Sequence, residues 1–287
     1  MQSIIFGIIT GSILAIATVG LSMIRQTEGF INIAHGQFLT LGAFVGFFFV
    51  SEVELNIFVA GLLATIIVGA VGVAVSRIVF RPIASSGPLA QLFTSIGLAY
   101  LMFGLIRVGF GASVKFFPTS FGTRFEAGSV NVTMGELLIV AVAGLSVAAL
   151  ALFLTRTKLG TWIRATASNP SLAEVRGVPV SRVSAAVWFV ASGLAGLAGV
   201  MVGLIGNVNS EMGWHQILII LAAAVLGGLG SIYGVLAAGL LLGLAMDLSA
   251  LVVPTAYRTV VAFGVLILVL LLRPEGLFSV AGRKEAG

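Results

Sequence analysis

A polar side chain inside a long apolar run is costly unless it has a partner or a task, so candidate chemistry begins with the few that interrupt such runs. Asn32, His35 and Gln37 cluster in one run; Gln91 and Thr94 fall in another; Glu136 opens a third. Asn207 and Asn209 close a fourth, and Asp247 lies near the end of a fifth. Amides and imidazoles can hydrogen-bond a polar solute, so Asn32, His35, Gln37, Asn207 and Asn209 are the candidates for a transport pathway.

The same inventory excludes much. There is no Ser-His-Asp arrangement and no paired acids in a motif, so no catalytic residue is expected and the chain does not read as an enzyme. The two histidines, His35 and His215, lie in different regions and read as bonded polar residues near helix ends, not metal ligands. With no cysteine, disulfides, thiol catalysis and Cys-ligated metals are ruled out, while the redox compartment stays open. None of the lysines follows a glycine as a Walker A loop requires, so ATP is not bound by that device. No run carries an acid near its middle, where an ion-coupled transporter would hold its ion, and Glu136 reads as a first-turn complement to a helix dipole.

A second candidate lies between runs. The stretch 155–182 holds five cations against one acid, Glu174. Within it, Ser171-Leu172-Ala173-Glu174-Val175-Arg176 suits about two helical turns, with Asn169 or Ser168 as N-cap, Pro170 in the first turn and Gly177 placed to end it. A short helix of this kind docks on a partner protein or rests on anionic lipid.

The elements that hold these residues are membrane spans. The 287-residue chain is 59% hydrophobic and 9% charged, too few charges for a water-soluble coat. Spanning segments must be helices or closed barrels, and continuous apolar runs favour helices over alternating strands. We place spans near 3–24, 31–50, 56–77, 89–107, 132–154, 184–206, 215–229, 232–250 and 257–273. The predicted fold is an all-α integral membrane protein, one polytopic domain over 1–287 with eight or nine transmembrane helices. Gly228, Leu229, Gly230 and Ser231 impose a break between the seventh and eighth. The run from Ser3 to Ile24 has no basic residue before it and reads as a retained span, not a signal peptide.

Cations sort by side. Arg25, Arg77, Arg81, Arg156, Lys158, Arg164, Arg176, Arg182, Arg273, Arg283 and Lys284 fall on one set of ends; Arg107, Lys115, Arg124 and Arg258 fall on the other. The richer set is expected inside, which puts 155–182 in the cytoplasm. The cations form no patch that would suggest nucleic acid. The external stretch 107–131, with Phe116, Phe117, Pro118 and Phe125, reads as a short interfacial helix, either a docking rim or a plain connector. Glycines four apart, such as Gly7/Gly11, Gly42/Gly46, Gly199/Gly203 and Gly239/Gly243, read as helix-packing faces.

The residues from Gly20 through Glu28-Gly29-Phe30-Ile31-Asn32-Ile33-Ala34-His35-Gly36-Gln37-Phe38 resemble the early signature of LivH-type permeases of branched-chain amino acid ABC importers. The stretch from Arg164 through Asn169-Pro170 and Ala173 to Gly177 is similar to that family's coupling loop. Gly193 to Gly199, followed by Leu226-Gly227-Gly228-Leu229-Gly230-Ser231, resembles its C-terminal signature. The resemblance covers nearly the whole chain and implies a type II ABC importer-like permease in the plasma membrane of a prokaryote. It implies a second, LivM-type permease subunit, two cytoplasmic ATPases carrying ATP and Mg, an extracytoplasmic solute-binding protein and an amino acid substrate, with no cofactor in this chain. Arg164, Asn169, Pro170, Ala173, Glu174, Arg176 and Gly177, in a coupling loop at about 155–183, would receive the ATPases. Alternatives are a permease of the same family for urea or short amides, and an ion-coupled secondary transporter with inverted repeats meeting around Gly36 and Gly234.

Overall fold

The computed structural model describes residues 2–118, 124–127, 130–228, 230–274 and 276–278. Leu229 of the expected break, and Arg283 and Lys284 of the charge count, lie outside these residues. Eleven helices are described: α1 Gln2–Glu28, α2 His35–Ser51, α3 Ile57–Val75, α4 Gly87–Phe110, α5 Met134–Arg156, α6 Lys158–Ser168, α7 Pro170–Val175, α8 Val180–Ile205, α9 Met212–Gly227, α10 Ile232–Ser249 and α11 Arg258–Leu272. All but α6 and α7 are apolar and make the bundle. Six apolar stretches are long enough to cross a bilayer, whereas α2 and α9 are shorter. The expected spans 56–77 and 89–107 join through a π turn, Ser76–Phe80, and a 3-10 turn, Arg81–Ser86, into one nearly unbroken 54-residue run.

The helix ends gather by charge. Arg25, Arg156 and Arg182 lie at ends of α1, α5 and α8 and Arg77 in the π turn after α3, and α6 packs against α1, α5 and α8 together at this basic end. There Ser184 Oγ donates to Glu28 Oε1 at 2.5 Å, tying α8 to α1. At the far end Gln2 exchanges two hydrogen bonds with the Asn131 backbone, at 2.9 and 3.0 Å, and Lys115 pairs with Val208 through both backbone bonds.

Two sections of the chain repeat one another upside down. α1, α2 and α3 form a long helix, a short one and a third; α8, α9 and α10 do the same in the opposite direction. α1 packs on α10, and its counterpart α8 packs on α3. Small residues make both seams. A Cβ on Gly7 or Gly11 would lie 2.8 Å from the α10 backbone at Leu244 or Leu240, and one on Gly193 would lie 2.9 Å from the Thr65 carbonyl of α3. The expected packing role of these glycines therefore appears as direct backbone approach. The repeats meet at Gly36 and Gly213, not at Gly36 and Gly234: Gly234 packs on Gly227 inside the α9–α10 hairpin. The expected break is in place, with Gly228 at φ +84° and Ser231 capping α10.

The interfacial helix expected in 107–131 is not what forms around Phe125. Arg124–Ala127 (β1) and Val130–Thr133 (β2) pair antiparallel, Phe125 opposite Val132. Alternation of β-branched and polar residues in Val130-Asn131-Val132-Thr133 suits a strand better than a helix. Thr133 then caps α5, its hydroxyl accepting from the Glu136 amide while Glu136 accepts from the Thr133 amide, so Glu136 serves the first turn as expected.

The glycine seams yield a stability test. Gly199 has no room, since a Cβ would collide with the Leu39 carbonyl, whereas Gly104 has nothing within 4 Å. Gly199→Leu should cost at least about 2 kcal/mol and lower the thermal midpoint in detergent by roughly 4 °C or more. Gly104→Leu should leave that midpoint in place, and equal shifts for the two would contradict the seam.

Candidate coupling surface and transport pathway

The α6–α7 segment is fixed by local signals. Thr157 ends α5 and caps α6, its hydroxyl accepting from the Gly160 amide at 2.9 Å. α6 lies across the bundle's basic end with Gly160, Ile163 and Thr166 buried and Lys158 and Arg164 exposed. Gly160 sits against the last turn of α5, where a Cβ would collide with the Phe153 carbonyl. Asn169 closes α6 and caps α7, its side chain accepting from the Leu172 amide at 2.9 Å, with Pro170 in the first turn.

The end of α7 is equally defined. The Val178 amide donates to the Ala173 carbonyl at 3.0 Å and the Gly177 amide to the Glu174 carbonyl at 2.9 Å, a Schellman arrangement with Gly177 at φ +81°. Ala173 is buried, so the rest of the helix is turned outward: Glu174 and Arg176 are exposed, as are Leu172 at 54% and Val175 at 83%. Leu172 and Val175 lie three apart and share a face. Sequence reasoning missed these two. Their signal was present, since two large aliphatics in a six-residue helix beside one small residue must expose one side, but the sequence alone does not say which side is covered.

The pathway candidates occupy a different level. α1 ends at Glu28, and residues 29–34 turn back into the bundle before α2 begins at His35. His35 Nε2 lies 2.9 Å from the carbonyl of Ala17 in α1, eleven residues before Glu28 and so about 16 Å from the basic end. The Ile33 amide donates to Ser95 Oγ within α4 at 3.0 Å. α2 therefore starts inside the membrane. α9 does the same from the far side: Gly213 abuts Gly36 and Thr40, and the Trp214 ring lies 4.7 Å from that of Tyr100, tilted by 45°, in the middle of α4.

Both starts use one device. Asn32 Oδ1 accepts from the Ala34 amide at 3.1 Å and its carbonyl from the His35 amide at 3.2 Å; Asn209 Oδ1 accepts from the Glu211 amide at 2.9 Å and its carbonyl from the Met212 amide at 3.4 Å. Each asparagine is followed four residues on by a glycine, Gly36 or Gly213, and a Cβ on either would collide with the partner's backbone or with Thr40. The structure thus brings Asn32, His35 and Gln37 to one side of a helix crossing and Asn209, with Asn207 bonded to it at 2.7 Å, to the other.

Asn32, His35 and Gln37 are fully buried. Toward the basic end lie the buried rings of Phe30, Phe80 and Trp188, Phe30 stacking on Phe80 at 4.9 Å and Phe80 on Trp188 at 5.0 Å, with Phe38 edge-on to Trp188. Asn32 Nδ2, His35 Nδ1 and Gln37 Oε1 have no hydrogen-bond partner among the described residues. Asp247, the buried acid near the end of α10, is ion-paired with Arg258 at the far end, joining α10 to α11.

Comparison with known proteins places this geometry in context. The family model described as "Branched-chain amino acid transport system / permease component" matches residues 3–270. The high-affinity branched-chain amino acid transport system permease protein LivH of Salmonella typhimurium is 31% identical, over 99% of this chain and 96% of its own. LivH of Escherichia coli is 30% identical and BraD of Pseudomonas aeruginosa 31%, with the same coverage. No solved structure matches the chain.

The α7 cap can be tested by itself. Gly177→Val forces a β-branched residue to φ +81° and should cost about 1–3 kcal/mol locally. Hydrogen exchange at the Val178 amide should then speed up while the bundle's helix content stays constant, and unchanged protection would contradict the Schellman cap.

Proposed function

This chain belongs to the branched-chain amino acid transport system permease family, and from that premise we propose that it is the permease subunit of an ATP-driven importer, forming half of the pathway for a branched-chain amino acid. In this reading 1–287 is a single transmembrane domain in the plasma membrane of a prokaryote. A LivM-type permease supplies the other half, an extracytoplasmic binding protein delivers the solute, and two cytoplasmic ATPases hold ATP and Mg. The chain's own task is conformational, with no group of its own in a bond-making step.

The observation that carries this reading is α7. A capped helix at the basic end, inner by the charge rule, shows water Leu172 and Val175, which is unfavourable unless a partner covers them. Apolar knobs flanked by Glu174 and Arg176 suit a groove on an ATPase, and Arg164 on α6 and Asn169 and Pro170 at the joint share this face of the loop. α6 touches α1, α5 and α8, so a push on α7 has a rigid route into the bundle. Closure of the ATPase dimer would enter there.

The pathway role of Asn32, His35, Gln37, Asn207 and Asn209 is supported by cost. Three unpaired polar atoms in a sealed interior are each unfavourable by about 1–3 kcal/mol, and a conformation that opens the crossing to a zwitterionic solute would relieve them. Movement of α2 against α9 at Gly36 and Gly213 is the opening that the contacts allow.

The assembled complex in vesicles tests this. Binding protein loaded with leucine, isoleucine or valine should stimulate ATP hydrolysis and drive uptake. Leu172→Glu with Val175→Glu should cut uptake at least about tenfold, leaving the chain inserted. Uptake at the unmodified rate would remove α7 from the coupling route.

A further inference from the structure

A groove lies elsewhere among the described residues, and neither coupling nor pathway uses it. It runs between α3, α5 and α8, with a volume of about 460 Å³. On α5 its lining climbs from Gly135 through Leu138, Val142, Ser146 and Ala149 to Phe153, about 27 Å along the helix axis at ~1.5 Å per residue. We infer that this groove binds an anionic phospholipid of the leaflet at the basic end, an acyl chain lying along α5 and the headgroup resting on Arg156 and Lys158.

The lining decides the chemistry of the occupant. Apart from aliphatic and aromatic groups it offers two hydroxyls, and both are engaged within their own helices: Thr65 donates to the Gly61 carbonyl at 2.8 Å and Ser146 to the Val142 carbonyl at 2.7 Å. A zwitterion would find no partner for its charges, whereas an alkyl chain needs none. Width decides against a partner's helix. A helix about 10 Å across and as long as the groove would occupy on the order of 2,000 Å³, more than the empty space of about 1250 Å³ there, part of which is open to the surroundings.

Charge then sets which end holds the headgroup. Arg156 follows Phe153 by three residues on the same face of α5, and both Arg156 and Lys158 are exposed at the rim. The opposite mouth, by Gly135, carries Glu136, which is committed to the α5 cap. Arg156 and Lys158 therefore draw an anionic headgroup to the basic end, and its chain passes Phe153, Leu150 and Ser146 over about half of the ~30 Å hydrocarbon thickness.

Native mass spectrometry of the purified full-length chain tests this, with phosphatidylglycerol and phosphatidylcholine of matched acyl chains as the probes. Phosphatidylglycerol should be retained about tenfold better, the preference expected of two juxtamembrane cations. Arg156→Gln with Lys158→Gln should abolish the preference, and Ala149→Trp, which fills the groove, should lower retention of both lipids relative to Leu101→Trp on the exposed face of α4. Equal retention of both lipids by the unmodified chain, or no effect of Ala149→Trp, would overturn the assignment. So would ready modification of Leu138→Cys in membranes by a charged, water-soluble thiol reagent, since that makes the groove an aqueous passage. These readouts need neither ATPase nor binding protein, so their failure leaves the importer reading untouched.

Discussion

Everything in this bundle answers to one constraint: backbone amides and carbonyls that leave a helix inside lipid must find partners at once. α2 and α9 both begin inside the membrane, and both meet the constraint with an asparagine that satisfies the amides of the turn. The starts can then approach until glycine meets glycine at Gly36 and Gly213. A side chain at either position would force the crossing apart, and with it the seam of α2 on α8 through Gly42 and Gly196. The rest of the architecture follows, since α1 on α10 and α3 on α8 flank this crossing as matched pairs related by inversion.

The inversion gives the mechanism its shape. In the proposed reading one closure lies toward the basic end, where the rings of Phe30, Phe80 and Trp188 stack in series beside the buried Asn32, His35 and Gln37. The other closure lies toward the far end, where Val208 is held by Lys115 and Phe47 lies beneath the Lys115 ammonium at 5.0 Å. Rocking one repeat on the other at two glycines, with α6 and α7 attached to the basic end of α1, α5 and α8, would relax one closure while tightening the other.

Much of this was legible in the sequence. Length and apolarity mark the helices, and Asn169, Pro170 and Gly177 stand at α7 in the roles their types suggest, because capping is local chemistry. Gly228 and Ser231 are likewise readable as a break. The start of α2 was hidden because Phe30, Ile31 and Ile33 keep the run apolar through a stretch that is not helical, and apolarity reports burial without conformation. The trace is an asparagine followed four residues later by glycine, at 32 and again at 209, but the same spacing at Asn131 and Gly135 marks no such start. Which face of α7 turns outward, and the hairpin at 124–133, depend on what each segment packs against, which spacing along the chain does not carry.

The central claim is that the end carrying α6 and α7 faces the cytoplasm, where an ATPase can reach it. The chain has no cysteine, so one thiol reports without background. Val175→Cys, in the chain produced without ATPase partners and held in sealed right-side-out vesicles, should resist a membrane-impermeant maleimide until the vesicles are opened, and then label fully. Complete labelling while the vesicles remain sealed would put α7 outside and contradict the account.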